Sequence, residues 1–399
     1  LTFTELALSR AGAADLKAFQ AREGLFPSGR EDALTVQRLT PYLLGYRRYA
    51  VKAGDTFYRL AREYGTTVQA IAQANPEQDP RNLSIGQELI LPFGFPVVPT
   101  NLPFTSELLA LCIHGLTVRY PFITQRQIAV TAGGRPVTVL KIGRGRRSVL
   151  YNAAHHANEW LTVPLVMRFL EDYARAVSEN RTIYHLSAQQ LFRRTQLYLV
   201  PMVNPDGVDL VTGAITPGSE EYAAAQRIAA NFPAIVFPDG WKANLTGVDL
   251  NLNYPAGWER AVQNKRALGF DRPAPRDFPG YAPLDQPESD AMVRLTRQVN
   301  PRLTLSFHTQ GETIYWKYLD REPPDALRIG QLFSQVSGYA LEETPFASAF
   351  AGYKDWFIQT YDRPGYTIEV GRGQNPLPLS QFDEIYNANL GILTLGLQL

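Results

Sequence analysis

In "SVLYNAAHHANEW", residues 148–160, an apolar run ends in two adjacent histidines and, three residues after the second, a glutamate. A short run of this kind, rich in β-branched and aromatic residues, reads as a buried strand. The pattern recurs: "LTLSF" runs into His308 and "PGYTI" into Glu369. Further apolar runs such as "QLYLVPMVN" alternate with helical stretches such as "LTVPLVMRFLEDYARAV" and "PESDAMVRLTRQV". That alternation predicts an α/β domain with a largely parallel sheet. In such sheets sites collect beyond the carboxyl ends of the strands, so three strands ending in His or Glu predict one convergent polar cluster.

Two histidines and one carboxylate with an open fourth position are the donor set of a catalytic zinc, which makes water acidic near neutral pH. A second carboxylate is then needed as proton acceptor. Glu369 fills that role, because a charge at the end of a buried strand is costly without a task. On a helical face both i, i+3 and i, i+4 neighbours meet, so His155 and His156 are equally able to pair with Glu159 by spacing alone.

The bulk of the sequence narrows the partners. The chain has 399 residues, 45% of them hydrophobic, enough for a large core and more than one domain. Lysine plus arginine number 39 against 38 acids, a formal charge of +1 that gives no electrostatic reason to expect nucleic acid. The single cysteine, Cys112, forms no internal disulfide and reads as a small buried hydrophobe. No run approaches the roughly 20 apolar residues of a membrane span. The start, "LTFTELALSR", lacks the basic and apolar regions of a signal peptide.

Pro and Gly punctuation divides the N-terminal part. Residues 1–46 contain "AADLKAFQAREGLFPSGREDALTVQRLTPYL", where Leu16, Phe19 and Leu25 form an apolar stripe before a Pro27-Ser28-Gly29 turn. Residues 47–93 spell strand, helix, helix, strand. Tyr49 and Val51 alternate, Gly54-Asp55-Thr56 makes a turn and cap, and Phe57, Leu60, Ala61 and Tyr64, then Val68, Ile71 and Ala72, mark two helical faces. "PFGFPVVPTNLPF" is rich in proline without helical period, and residues 94–104 read as a stiff linker. Residues 105–399 form one large unit.

The second block resembles a LysM module, carried by Val51, Gly54-Asp55-Thr56, Ile71, Asn75, Leu83, Ile85-Gly86 and the closing Leu89-Ile90-Leu91-Pro92. The resemblance implies binding of N-acetylglucosamine-containing glycan through the loops after the first strand and before the second, with Gly54, Asp55, Thr56, Asn82 and Ile85 as the contact residues. By "LKAFQAREGL", residues 1–46 look like half of a peptidoglycan-binding helical repeat.

The large unit resembles the zinc carboxypeptidase-like peptidases. "HHANEW", "VNPDGVDL", "WKANLTGVDLNLNYPAGWE", "SFHTQGETIYW", "AGYKDWFIQTY" and "PGYTIEVGRGQNPLPL" carry the likeness in order over nearly all of 105–399. "FHTQGE", "GYKDWFIQ" and the upstream LysM-like block make it more narrowly similar to bacterial peptidases of the γ-D-glutamyl–diaminopimelate bond in peptidoglycan. The implied fold is a mixed, largely parallel α/β sheet flanked by helices, with a small α+β LysM module in front. The resemblance puts one zinc on His156, Glu159 and His308, the catalytic glutamate at Glu369 and a substrate-holding amide at Asn251. Where the family has an arginine that polarises the scissile carbonyl, Lys242 stands in "GWKAN".

One departure matters chemically. Ordinary carboxypeptidases follow that asparagine with arginine, and this chain has Leu252. Leucine offers a terminal carboxylate neither charge nor hydrogen bonds, so plain removal of C-terminal residues is disfavoured. Arg372 is the sequence's candidate replacement cation, and Tyr353 stands nearest the phenol that many carboxypeptidases place on a mobile loop. The expectation is a zinc peptidase of the wall stem peptide. The alternatives are a carboxypeptidase, an amidase or deacylase on another amide, and a non-catalytic glycan-binding protein. The expected setting is bacterial, at the wall or outside the cell, with the cytoplasm allowed by the missing signal peptide.

Overall fold

Two strands pair where the second block was expected to begin and end. The structure is a computed structural model and describes residues 2–399. Strand β1 (Tyr46–Ala50) runs antiparallel to β2 (Glu88–Pro92), with Tyr46 opposite Pro92 and Ala50 opposite Glu88. Between them lie helices Phe57–Glu63 and Val68–Ala74. Thr56 and Thr67 cap these helices, accepting from the N–H groups of Arg59 and Ala70 at 3.1 and 3.0 Å. Val51, Phe57, Leu60, Ile71, Leu89 and Leu91 make the core. Asn75 ties the second helix to β2: its Nδ2 donates to the carbonyls of Ile71 and Ile90, and its Oδ1 accepts from Ile90 N–H.

Residues before β1 form three helices, Phe3–Ala11, Leu16–Arg22 and Ala33–Leu44, around Ala7, Phe19 and Leu39. Of the expected stripe only Phe19 is fully buried. Buried Gln20 organises the turn that follows, donating to Thr35 Oγ1 and the Arg30 carbonyl and accepting from Gly29 N–H.

The Pro-rich stretch is not the spacer that its composition predicts. Val97 and Val98 are buried, and their N–H groups are both held by the Glu171 carboxylate at 2.7 and 2.9 Å. Arg10 donates to the carbonyls of Pro96 and Val97, and Arg119 to that of Phe95. A Pro-rich stretch is short of N–H groups but keeps its carbonyls, and here arginines satisfy those of Phe95, Pro96 and Val97, so the segment packs. Accordingly the chain divides into two units that differ from the expected boundary: Leu1–Leu102 with Glu107–Thr124 and Glu171–Arg181, and Pro103–Ser106 with Gln125–Leu170 and Thr182–Leu399.

The second unit holds an eight-stranded sheet. Its strands are β3 (Thr124–Val130), β4 (Pro136–Ile142), β5 (Arg147–Ala153), β6 (Thr195–Val200), β7 (Leu303–His308), β8 (Thr313–Tyr315), β9 (Ala340–Glu342) and β10 (Gly365–Glu369), in the order β9-β8-β10-β7-β5-β6-β4-β3. The four central strands β10, β7, β5 and β6 are mutually parallel, and antiparallel β8 and β4 flank them. Central parallel strands are covered on both faces, which is why they read as nearly continuous apolar runs. No helix among the described residues is long and apolar enough to cross a membrane.

Candidate metal centre and active site

The register of the sheet brings the predicted residues together. On parallel neighbours β7 and β10, His308 is the partner of Glu369, so both strands deliver a polar side chain at the same level. On the other side of β7, Ala153 of β5 is opposite Phe307, and the chain leaves the sheet immediately afterwards. Ala154 takes the left-handed conformation, φ +51°, a turn that an L-residue adopts rarely. His156 is again extended and caps one 3₁₀ turn, Ala157–Glu159.

That turn decides between the two histidines. A 3₁₀ helix has three residues per turn and eclipses i with i+3, whereas the α geometry assumed from the sequence serves i+4 as well. His156 Nδ1 therefore lies 2.9 Å from Glu159 Oε1. His155 is turned into the core, its Nε2 2.9 Å from the Tyr254 hydroxyl and its ring stacked with that of His308. Burial, and then the neighbouring His308 and His156, depress its pKa well below the ordinary value and keep it neutral.

Glu159 is the hub. Its Oε2 is 2.9 Å from His308 Nδ1 and accepts from Thr309 N–H, while its Oε1 also accepts from Lys242 Nζ at 2.8 Å. Burial opposes its charge, but His156 and Lys242 outweigh burial and hold the carboxyl well below its usual range. His156 donates its other ring nitrogen, Nε2, to Asp249 Oδ1 at 3.0 Å. Burial works against the imidazolium, yet Glu159 and Asp249 together raise its pKa to about 9.

This arrangement fits a metal. One nitrogen of His156, one carboxylate oxygen of Glu159 and one nitrogen of His308 lie within 4.8 Å of one another. Asp249 fixes the His156 tautomer so that Nδ1 faces the centre, the outer-shell support that ligating histidines commonly have. An imidazolium shared by two carboxylates is also what a divalent cation would replace, since binding removes the Nδ1 proton. Three mixed N and O donors with space for a fourth ligand match a catalytic zinc.

Glu369 and Lys242 line the same cavity of about 280 Å³ as His156, with Asn251 and Leu252. Burial, moderated by His308, raises the Glu369 pKa above the ordinary carboxylate value. Burial also opposes the Lys242 charge, but Glu159 prevails and the ammonium persists. Asn251 Oδ1 accepts from Tyr353 N–H at 3.1 Å, which leaves its Nδ2 as the donor for a ligand.

Two expected substrate residues lie elsewhere. Tyr353 is 0% exposed, and its hydroxyl pairs with Thr296 at 2.8 Å in the core beside Tyr254 and Trp356. Its backbone N–H serves Asn251, but its phenol is not available to a ligand. Arg372 is outside the cavity wall, its side chain 77% exposed and ion-paired with Glu312. The reason is local: after β10 the chain turns at Gly371, φ +69°, and Gln381 holds Arg372 through its N–H and carbonyl.

In the LysM-like fold, Gly86 N–H donates to the Val51 carbonyl and Val51 N–H to that of Gln87, so the loops bearing Gly54, Asp55 and Thr56 and bearing Asn82 and Ile85 adjoin. Asp55 and Thr56 already have structural work. Asp55 Oδ2 accepts from Tyr49 OH and Lys52 N–H, and Thr56 caps a helix. Asn82 N–H closes a turn onto Asp79, and Ile85 is 74% exposed.

Sequence reasoning passed over Asp249 and Arg276. Asp249 stands two residues before Asn251 in "GVDLN", where the string was read for its amide alone. Arg276, in "PAPRDFPG", lies on the cavity wall with nothing around it in sequence to mark it.

Residues 112–391 match the profile of the zinc carboxypeptidase family, and residues 49–92 that of the LysM domain. γ-D-Glutamyl-L-diamino acid endopeptidase 1 of Lysinibacillus sphaericus is 47% identical over 287 residues, which cover 72% of this chain and 70% of the relative. The uncharacterized protein YqgT of Bacillus subtilis (strain 168) is 41% identical over 280 residues, 69% and 72% of the two chains. Bovine thrombin-activatable fibrinolysis inhibitor, solved with a tick carboxypeptidase inhibitor, superposes with a TM-score of 0.53 at 16% identity, covering 73% of this chain and 95% of that one, a likeness of fold.

Proposed function

We propose that this chain, which belongs to the zinc carboxypeptidase family, is a peptidoglycan peptidase that hydrolyses the amide between the γ-carboxyl of D-glutamate and the amino group of a diamino acid, meso-diaminopimelate in the favoured case. The observation that carries it is the register pairing of His308 with Glu369 beside the His156–Glu159 turn, in a cavity whose wall has Leu252.

Zinc, held by His156, Glu159 and His308, would supply Lewis acidity toward the scissile carbonyl and lower the pKa of water. Glu369 takes the proton from the attacking water; its raised pKa suits it to return that proton to the leaving amine. Lys242, kept cationic on the cavity wall, stabilises the oxyanion as the carbonyl carbon becomes tetrahedral. Asp249 holds His156 in register, and the Asn251 amide donates to a substrate carboxylate or carbonyl. The net change is addition of one water: the γ-carboxyl gains OH and the diamino acid leaves with its amine. Leu252, apolar where ordinary carboxypeptidases have arginine, favours an internal γ-linked amide over plain C-terminal trimming.

The LysM module adds a partner. Ile85 and the adjoining loops form the proposed contact with N-acetylglucosamine-containing glycan, raising the local concentration of enzyme on wall material. The setting proposed is the bacterial cell wall, met from outside the cell.

Purified protein loaded with zinc and given L-Ala-γ-D-Glu-meso-diaminopimelate is the test. Release of free diaminopimelate with one zinc per chain is expected. Absence of release from the zinc-loaded protein overturns the substrate.

A further inference from the structure

If Leu252 has replaced the usual carboxylate-binding arginine, the cavity must meet substrate charge another way. Besides the metal-site His156, four lysine and arginine cations line it: Lys242, Lys265, Arg276 and Lys354. Three are committed. Lys242 is held by Glu159 at 2.8 Å, Lys265 by Asp277, and buried Lys354 by Asp355 and the Lys317 carbonyl at 2.6 and 2.7 Å.

Arg276 is different. It donates Nε to Asp277 Oδ2 at 2.6 Å, a single contact at the inner edge of the guanidinium. Asp249 and Glu159 attract its charge, but among the described residues no side chain or carbonyl accepts a hydrogen bond from its two Nη groups, the outer prongs of the fork that recognises a carboxylate.

Its position is fixed relative to the catalytic residues on both sides. The carbonyl of the preceding Pro275 accepts from the N–H groups of Lys242 and Ala243 at 2.7 and 2.9 Å. The N–H of the following Asp277 donates to Asp249 Oδ2 at 3.1 Å, and Asp249 holds His156. One residue of backbone is thus pinned between the segment bearing the oxyanion cation and the carboxylate that orients a metal ligand. Asp277 is shared with Lys265, so the trio keeps a net positive charge facing the cavity.

We infer that Arg276 is the specificity residue that binds a carboxylate of the substrate, in place of the guanidinium missing at Leu252. The inference rests on the proposed stem-peptide substrate, which offers three such groups: the α-carboxylate of D-glutamate and the two carboxylates of diaminopimelate.

The test compares zinc-loaded wild type, Arg276→Gln, Arg276→Lys and Arg372→Gln on L-Ala-γ-D-Glu-meso-diaminopimelate and on three analogues, each with one carboxylate converted to the amide. On the parent peptide Arg276→Gln should lose roughly 10- to 100-fold in kcat/KM, the usual range for one charge-assisted contact, with Arg276→Lys between. On the analogue lacking the partner carboxylate the wild-type advantage should collapse, which identifies the group. An equal loss on all four substrates, or a larger loss from Arg372→Gln, overturns the inference. If wild type cleaves none of the four, the proposed function fails instead. Calorimetric titration of the parent tripeptide into wild type and Arg276→Gln then decides Arg276 separately: weaker binding by the variant upholds the carboxylate contact, and equal or no binding removes it.

Discussion

His155 and His156 are adjacent, both buried in large part, and chemically opposite in use. One packs behind the centre as a neutral ring hydrogen-bonded to Tyr254; the other bridges Glu159 and Asp249. Replacing His156 by alanine should abolish stoichiometric zinc binding, measured by metal analysis after dialysis. Replacing His155 should leave one zinc per chain but lower thermal stability, because it opens a cavity under His308 and strands a tyrosine hydroxyl. Loss of zinc only in the His155 variant would reverse the assignment. A second buried group makes a pH prediction. Burial raises Glu288 to about 7, and its Oε2 has no partner. An acid whose folded pKa exceeds its unfolded value keeps a proton that the unfolded chain has lost, so stability falls as pH rises from about 4.5 to 7. Glu288→Gln should therefore match wild type near pH 4 and exceed it by on the order of 3 kcal/mol at pH 8, read by denaturant titration. An unchanged difference between those pH values contradicts the assignment.

Elements explain why single positions take these roles. A 3₁₀ turn after β5, rather than an α-helix, selects i+3, and the parallel register of β7 with β10 sets His308 beside Glu369. In the LysM fold the same logic separates shape from contact. Asp55 is consumed by Tyr49 and Lys52, whereas Ile85 projects from the neighbouring loop. Ile85→Ser should weaken binding to chitin oligomers severalfold with little change in melting temperature. Asp55→Ala should lower the melting temperature, since the half-buried Tyr49 hydroxyl and the Lys52 turn N–H lose their acceptor. Equal chitin affinity in the Ile85 variant would remove that loop from the glycan contact.

For the whole molecule, the sequence carried what depends on periodicity and motif order: the α/β sheet, the strand–helix–helix–strand block, and the residues at strand ends. Those features are local, and burial on both faces writes them plainly into the apolar runs. What depends on distant packing was not readable. Proline content predicted a spacer at 94–104, but Arg10, Arg119 and Glu171 bind its backbone from elsewhere in the chain. Arg276 reaches the cavity through contacts with residues some thirty positions earlier, while Arg372, nearer Glu369 in sequence, turns away. Tyr353 stood beside the right motif with its phenol facing the core.

The central claim is hydrolysis of the γ-D-glutamyl amide with Glu369 as proton carrier, and the most direct measurement is digestion of L-Ala-γ-D-Glu-meso-diaminopimelate in ¹⁸O-labelled water, followed by mass spectrometry. Zinc-loaded wild type should yield L-Ala-D-Glu carrying one ¹⁸O and unlabelled diaminopimelate, while Glu369→Gln, with zinc still bound, should be slower by at least about a hundredfold. Label in the diaminopimelate, cleavage at another bond, or an undiminished rate in the Gln variant would contradict it.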